Sequence, residues 1–227
     1  MEVYNNIDDN LPLEKLEETN KIIVIIGSSG SGKTTLANKL NKTLNIPKLI
    51  TTTTRPMRKD ENHGVDYYFV GENTFNEMSD NNTFLEENVY SGYRYGLTNN
   101  EINKHENDLC YVISDVNGAR SIADAYPDRV MIFWMRSKPT TLIKRLFNRG
   151  DKCSIIFKRL INGFKKKEFI SPVKMFTDVT FTELSASKPI VDNFAIIYYR
   201  LLVEEYNSNS IYLKKLEMQQ KNRKGEF

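Results

Sequence analysis

The 227 residues are 40% hydrophobic and 27% charged, the balance of a folded domain, and their number suits one compact unit with insertions. Against 29 Asp and Glu, 32 Lys and Arg leave a net charge of only +3, too mild by itself to argue for a nucleic-acid or membrane partner. Cys110 and Cys153 stand at no metal-ligand spacing with His63 or His105, so two free thiols in a reducing compartment are the plainer reading.

Residues 1–20 are polar and acidic, with a weak helical pattern in "LPLEKLEE", and read as a flexible leader. A signal peptide would be basic there, and the longest apolar run, Ile22 to Ile26, is far too short to span a bilayer, so a soluble cytoplasmic protein is expected. "KIIVIIG" reads as a buried strand stopped by Gly27, followed by an amphipathic helix in "GKTTLANKLNKTL". "DLCYVISD" and "DRVMIFWM" repeat the buried-strand pattern, each with a helix behind it, in "VNGARSIADAY" and "KPTTLIKRLFNRG". That order predicts a parallel sheet covered on both faces.

Between the first helix and "DLCYVISD" lie Thr-, Tyr- and Phe-rich segments with glycine turns, "YYFVGENTF" and "NVYSGYRYG", expected as short antiparallel strands of an insertion. From Lys144 to Lys167 a cationic set follows a helix, loop, helix pattern broken at Gly150, which composition alone reads as a solvated face. Beyond Pro172, "KPIVDNFAIIYYRLLVEEY" reads as a last strand and a closing helix, before a charged tail expected to be frayed or a surface helix.

"GSSGSGKT", Gly27 to Thr34, satisfies GxxxxGK[ST] between a predicted strand and a predicted helix. Its glycines let the backbone curl so that Gly27, Ser28, Ser29, Gly30, Ser31 and Gly32 turn amide N–H groups on phosphate oxygens, at the positive end of a helix dipole. Lys33 would reach the β- and γ-phosphates and the Thr34 hydroxyl would meet Mg²⁺. The motif implies a nucleoside triphosphate and leaves the acceptor open.

"TRPMRKDE" offers a candidate. Pro56 biases Arg55 to an extended conformation, and Arg55 and Arg58, three apart, can converge on one dianion, for which the planar guanidinium fork is suited. Tyr67 and Tyr95 carry phenolic donors that would complete such a cradle. A carboxylate at Glu86 matches the adjacent N1–H and N2–H₂ donors of guanine and repels the N1 acceptor of adenine, while Thr51 would donate to O6. Taken singly, a glutamate such as Glu86 is more often a surface carboxylate, so the reading needs the whole constellation.

Taken together, "GSSGSGKTT", "TTTRPMRKDENHGVDYYFV", "FLEENVYSGYRYG", "VNG" after a strand, and "LIKRLFNRGD" with "FKRL" resemble the motifs of the guanylate kinases, in that family's order. The resemblance runs from about Lys21 to Arg159 and more faintly to about Tyr206. It implies an α/β fold: a P-loop NTPase parallel sheet flanked by helices, with an inserted mixed-β nucleoside monophosphate-binding subdomain and a helical lid. The expected division is a core of 21–50, 107–145 and 169–206, an insertion of 51–106, a lid of 146–168 and a tail of 207–227.

The resemblance further implies phosphoryl transfer from Mg-ATP to GMP, and to dGMP, with ATP on the loop residues and Thr35. Arg55, Arg58, Tyr67 and Tyr95 would hold the GMP phosphate, Thr51 and Glu86 would read guanine, and Asp115 would be the acidic group beside Mg²⁺ or the acceptor. Lys33 with Arg145, Arg149 and Arg159, from the lid and its flanks, would neutralise the transferring group. The partners so implied are nucleotides, not nucleic acid or membrane.

Three positions depart from the family pattern: Leu97 stands where a Ser or Thr hydroxyl is usual, Ile113 where a strand-end Asp is usual, and Arg136 where Pro is usual. Leu97 keeps open a kinase of the same fold acting on another nucleoside or deoxynucleoside monophosphate. A non-catalytic binding module of this family would show a degraded phosphate loop, and Lys33 and Thr34 are intact.

Overall fold

The computed structural model describes residues 19–224 except 91, 149, 166 and 167, with side chains as far as residue 207. Arg149 and nearly all of the expected leader therefore lie outside the described residues.

The centre is β1 (Ile22–Gly27), whose five apolar residues are all fully buried. Among the described residues it belongs to a four-stranded sheet with β6 (Cys110–Ile113), β7 (Val130–Arg136) and β8 (Thr180–Ser185), in the order β6-β1-β7-β8 and parallel throughout. A strand buried on both faces is apolar at every position, and the pleat sends alternate side chains into two cores. Ile23 and Ile25 pack with Met131 and Phe133 under α1 (Lys33–Leu44) and α7 (Ile190–Lys224). Ile22, Val24 and Ile26 pack with Val130, Ile132 and Trp134 under α4 (Val116–Ala125).

The last strand is not where the sequence pattern suggests. It is "TFTELS", and "KPIV" instead leads into α7, whose first helical residue is Ile190. As an edge strand β8 is covered only in part, so its Thr and Glu residues hide the apolar run that marks β1 and β7. The β-branched pair Ile190–Val191 sits after Pro189, a residue tolerated at a helix start because its missing N–H is not needed there.

The insertion forms a second sheet of β2 (Thr52–Thr53), β3 (Tyr68–Phe69), β4 (Phe84–Tyr90) and β5 (Tyr93–Thr98), in the order β3-β2-β5-β4. It is mixed rather than wholly antiparallel, because β2 pairs with β3 in parallel. Only two residues of "YYFVGENTF" are strand. From Glu72 the chain is helix α2 (Glu72–Asp80), whose buried Phe75 stacks on Phe84 at 4.5 Å between centroids. That contact lies outside the local pattern and overrides the β signal of the aromatic residues.

A short helix α3 (Asn99–Asn103) returns the chain to β6, with Thr98 as its N-cap accepting from the Glu101 amide. In the lid region α5 (Pro139–Asn148) and α6 (Cys153–Lys165) flank a turn in which Gly150 adopts φ 83°. Helix α7 runs without a break past residue 206. No helix among the described residues is long and apolar enough to cross a membrane, and Cys110 and Cys153 are free.

Candidate active site

Strand β1 delivers the chain into the phosphate loop through Gly27, whose φ of 143° and 2.6 Å approach of a would-be Cβ to the Met135 carbonyl admit no side chain. The loop turns on a bond from the Ser31 amide to the Ser28 carbonyl at 3.1 Å. The Ser28 and Ser137 hydroxyls, 2.5 Å apart, tie it to the segment after β7. Gly32, left-handed at φ 104°, caps α1 without a side-chain hydrogen bond, so no side chain competes for the first-turn amides. The Ser31 Oγ is buried and has no hydrogen-bond partner. Lys33 folds over the loop, its Nζ donating to the carbonyls of Gly27 at 2.7 Å and Ser28 at 2.9 Å. Burial lowers its pKa to about 8, against the opposing pull of the Glu168 and Asp115 carboxylates.

Two cavities flank this loop among the described residues, of about 370 and about 340 Å³. They share the wall formed by Gly30, Lys33 and Thr34. Thr35 and Arg145 line the first. The second is lined by all seven predicted acceptor residues, Thr51, Arg55, Arg58, Tyr67, Glu86, Tyr95 and Asp115, together with Arg159 and Ser29.

The lid arginines divide between the two cavities. Arg145 is tied to the phosphate loop and the end of β8 by bonds to the carbonyls of Ser31 at 2.7 Å and Ala186 at 2.5 Å. Arg159 faces the second cavity and pairs with Asp151 at 3.2 Å.

In the second cavity Arg55 is 9% exposed and its Nη2 bridges both oxygens of Glu61, at 2.8 and 2.9 Å, while Nη1 donates to the Pro56 carbonyl. Glu61 also accepts the Arg58 amide at 2.9 Å, and the Arg58 side chain, largely in solvent, lies 3.7 Å from the same carboxylate. Burial would raise the Glu61 pKa, but the Arg58 amide and the Arg55 guanidinium hold it below the usual carboxylate value. The rings of Tyr67 and Tyr95 meet edge to face at 5.9 Å, and the Arg55 guanidinium lies 5.4 Å from the Tyr67 ring centroid. Arg55, Tyr67 and Tyr95 are thus held together by ring contacts.

Glu86 is 7% exposed on β4, so it is not a surface carboxylate. Its one side-chain bond is a long one, 3.4 Å from Asn88 Nδ2, two residues along the same face of the strand. Burial first, and the charge of Asp115 second, push its pKa up to about 7. Helix α4 approaches this carboxylate only because residue 118 is glycine: a Cβ there would lie 2.7 Å from Glu86 Oε2 and 2.4 Å from Ser114 Oγ. Asp115 caps α4, accepting the Gly118 amide at 2.9 Å.

The three departures acquire physical descriptions. Leu97 is fully buried opposite Glu86 in the β4–β5 ladder and packs in the core with Ile102 and Trp134. Thr98 caps α3, accepting the Glu101 amide, and is not among the residues that line the second cavity. Ile113 lines the second cavity, and Arg136 pairs with Glu183 at 2.8 Å across β7 and β8. Sequence reasoning missed Glu61, Asn88 and Ser114. Asn88 was accessible through its i+2 relation to Glu86, whereas a pairing of Glu61 with Arg55 depends on how an irregular loop closes.

The family model for guanylate kinase matches residues 19–169. The guanylate kinase of Legionella pneumophila (strain Paris) is 34% identical over 148 residues, 63% of this chain and 71% of that protein. That of Prochlorococcus marinus (strain MIT 9312) is 34% identical over 152 residues, 65% of this chain and 83% of that protein. In fold, the chain is similar to the crystal structure of guanylate kinase from Anaplasma phagocytophilum, with a TM-score of 0.63 and 24% identity over 83% of this chain and 88% of that one. With a phosphate loop between two cavities, an inserted mixed sheet and the family match over most of its length, the chain belongs to the guanylate kinase family.

Proposed function

We propose that the protein transfers the γ-phosphoryl group of ATP to GMP, giving ADP and GDP. The observation that carries this reading is the pair of cavities meeting at Gly30, Lys33 and Thr34, one for a donor on the phosphate loop and one for an acceptor. The uncapped start of α1 and the unpartnered Ser31 Oγ suit phosphate oxygens. The acceptor phosphate is assigned to Arg55, Arg58, Tyr67 and Tyr95, and guanine to Glu86 and Thr51. Buried carboxylate acceptors discriminate strongly, since the wrong base leaves them without hydrogen-bond donors.

Phosphoryl transfer asks for positioning and charge stabilisation rather than a general base. Lys33 supplies a cation on the shared wall, between the two phosphate chains. Arg159, facing the acceptor cavity, and Arg149 are assigned to the charge of the transferring group, with Arg145 holding the loop from the donor side. No group of three or more His, Cys, Asp or Glu among the described residues forms a metal nest. The Thr34 hydroxyl, with Asp115 lining the same cavity, would be the protein's contribution to a Mg²⁺ held mainly by substrate phosphates. Bound there, such an ion would supply charge neutralisation for the transferring group.

Coupled ADP release with GMP, dGMP, AMP, CMP and UMP offered in turn tests the reading. Strong preference for GMP and dGMP is expected, with turnover lost in Lys33→Ala. Equal rates with all acceptors would refute guanine reading by Glu86, and full activity of Lys33→Ala would refute the assignment of the loop.

A further inference from the structure

Ser114 joins the end of β6 to the cap of α4 and lines the acceptor cavity. Its Oγ is buried and has no hydrogen-bond partner among the described residues. A buried hydroxyl left unpaired is destabilising, and a bound ligand that pairs with it removes that cost. The neighbourhood limits what that ligand group is. Ser114 Oγ and Glu86 Oε2 both approach the position of a Cβ on Gly118, at 2.4 and 2.7 Å, so the two oxygens are near neighbours. Asp115, the next residue, lines the same cavity. A corner bounded by two carboxylates repels a carbonyl oxygen and attracts an N–H donor.

Resting on guanine as the base in this cavity, we infer that Ser114 is a further specificity-determining residue, its Oγ accepting a hydrogen bond from the purine 2-amino group. Glu86 has two oxygens for the N1–H and one N2–H of guanine, and the second N2–H needs another acceptor. Ser114 Oγ stands beside the Glu86 oxygen that faces α4.

The discriminating pair of substrates is GMP and IMP, which differ only in the 2-amino group. In the full-length protein, Ser114→Ala is expected to lower kcat/KM for GMP about three- to tenfold, through KM with kcat retained. IMP is expected to be used equally well by both proteins, so the GMP-to-IMP preference falls by the same factor. Equal losses with GMP and IMP would mean that Ser114 only supports the fold of the site, and no loss with either would mean that it does not touch the base. Either result overturns the inference while the wild-type use of GMP stands, and failure of the wild type to use GMP overturns the underlying reading instead.

Discussion

A carboxylate that reads guanine has to be ionised, and Glu86 sits where ionisation is costly. Its pKa in the free protein, raised by burial and then by Asp115 to about 7, leaves a growing fraction protonated as pH falls below that value. A protonated carboxyl offers one acceptor fewer to N1–H and N2–H₂, so kcat/KM for GMP is expected to decline towards tenfold per unit as pH falls below about 7, and to fall again above about 8 as Lys33 loses its proton. The phosphate of GMP itself titrates near pH 6, so the window that isolates Glu86 is about pH 6.5–7.5. In Glu86→Gln the acid-side inflection should vanish and kcat/KM should be lower by about 10- to 100-fold throughout. A variant that keeps the same inflection would assign it elsewhere. Neither the burial nor the shift was readable from "FLEENVY", where two adjacent glutamates look alike; only the strand's register turns Glu86 inward and leaves Glu87 exposed.

Helix α4 shows what one missing side chain does for an element. Alanine at 118 would favour the helix by about 1 kcal/mol, yet its methyl would press on the Glu86 carboxylate and the Ser114 hydroxyl. These are the ends of side chains rather than backbone, so the site yields before the fold does. Gly118→Ala is expected to raise KM for GMP severalfold while the melting temperature changes little, measurable by steady-state kinetics beside a thermal scan. The converse holds at α3, where buried Glu101, 2% exposed, accepts from the Ile50 amide at 2.9 Å, Lys104 at 2.9 Å and the Tyr68 hydroxyl at 3.3 Å. Glu101→Ala removes a knot between the start of the insertion and its return, so a loss of about 2 kcal/mol is expected, or roughly 4–8 °C in Tm. Elements with a continuous apolar run, β1 and β7, were legible in the sequence, as was the phosphate loop. Edge strand β8 and helix α2 were not, because partial cover and a single stacking contact between Phe75 and Phe84 leave no local periodicity.

At the scale of the whole molecule, the substrate half of the site is gathered from the insertion, from the end of β6 and from the lid, segments far apart in sequence that share one cavity. Motif spacing made the members legible, while their mutual geometry depends on how the two sheets are set against each other. One feature of that geometry governs how the protein meets an anion. Arg55 does not wait bare in the acceptor cavity; Glu61 is already bonded to it and lies 3.7 Å from the Arg58 guanidinium. On the proposed assignment, entry of a phosphate dianion would be an exchange of one counter-ion for another, not the neutralisation of an open cationic patch. An exchange leaves the local charge balance almost unaltered, so KM for GMP should rise only shallowly with added NaCl. Removing the resident anion by Glu61→Gln should steepen that slope and tighten GMP at low salt, and equal slopes in the two proteins would show that the carboxylate stays in place when GMP binds. If it does leave, dissolved chloride and inorganic phosphate meet a site that answers them with its own glutamate, and the cavity is protected from the commonest anions around it.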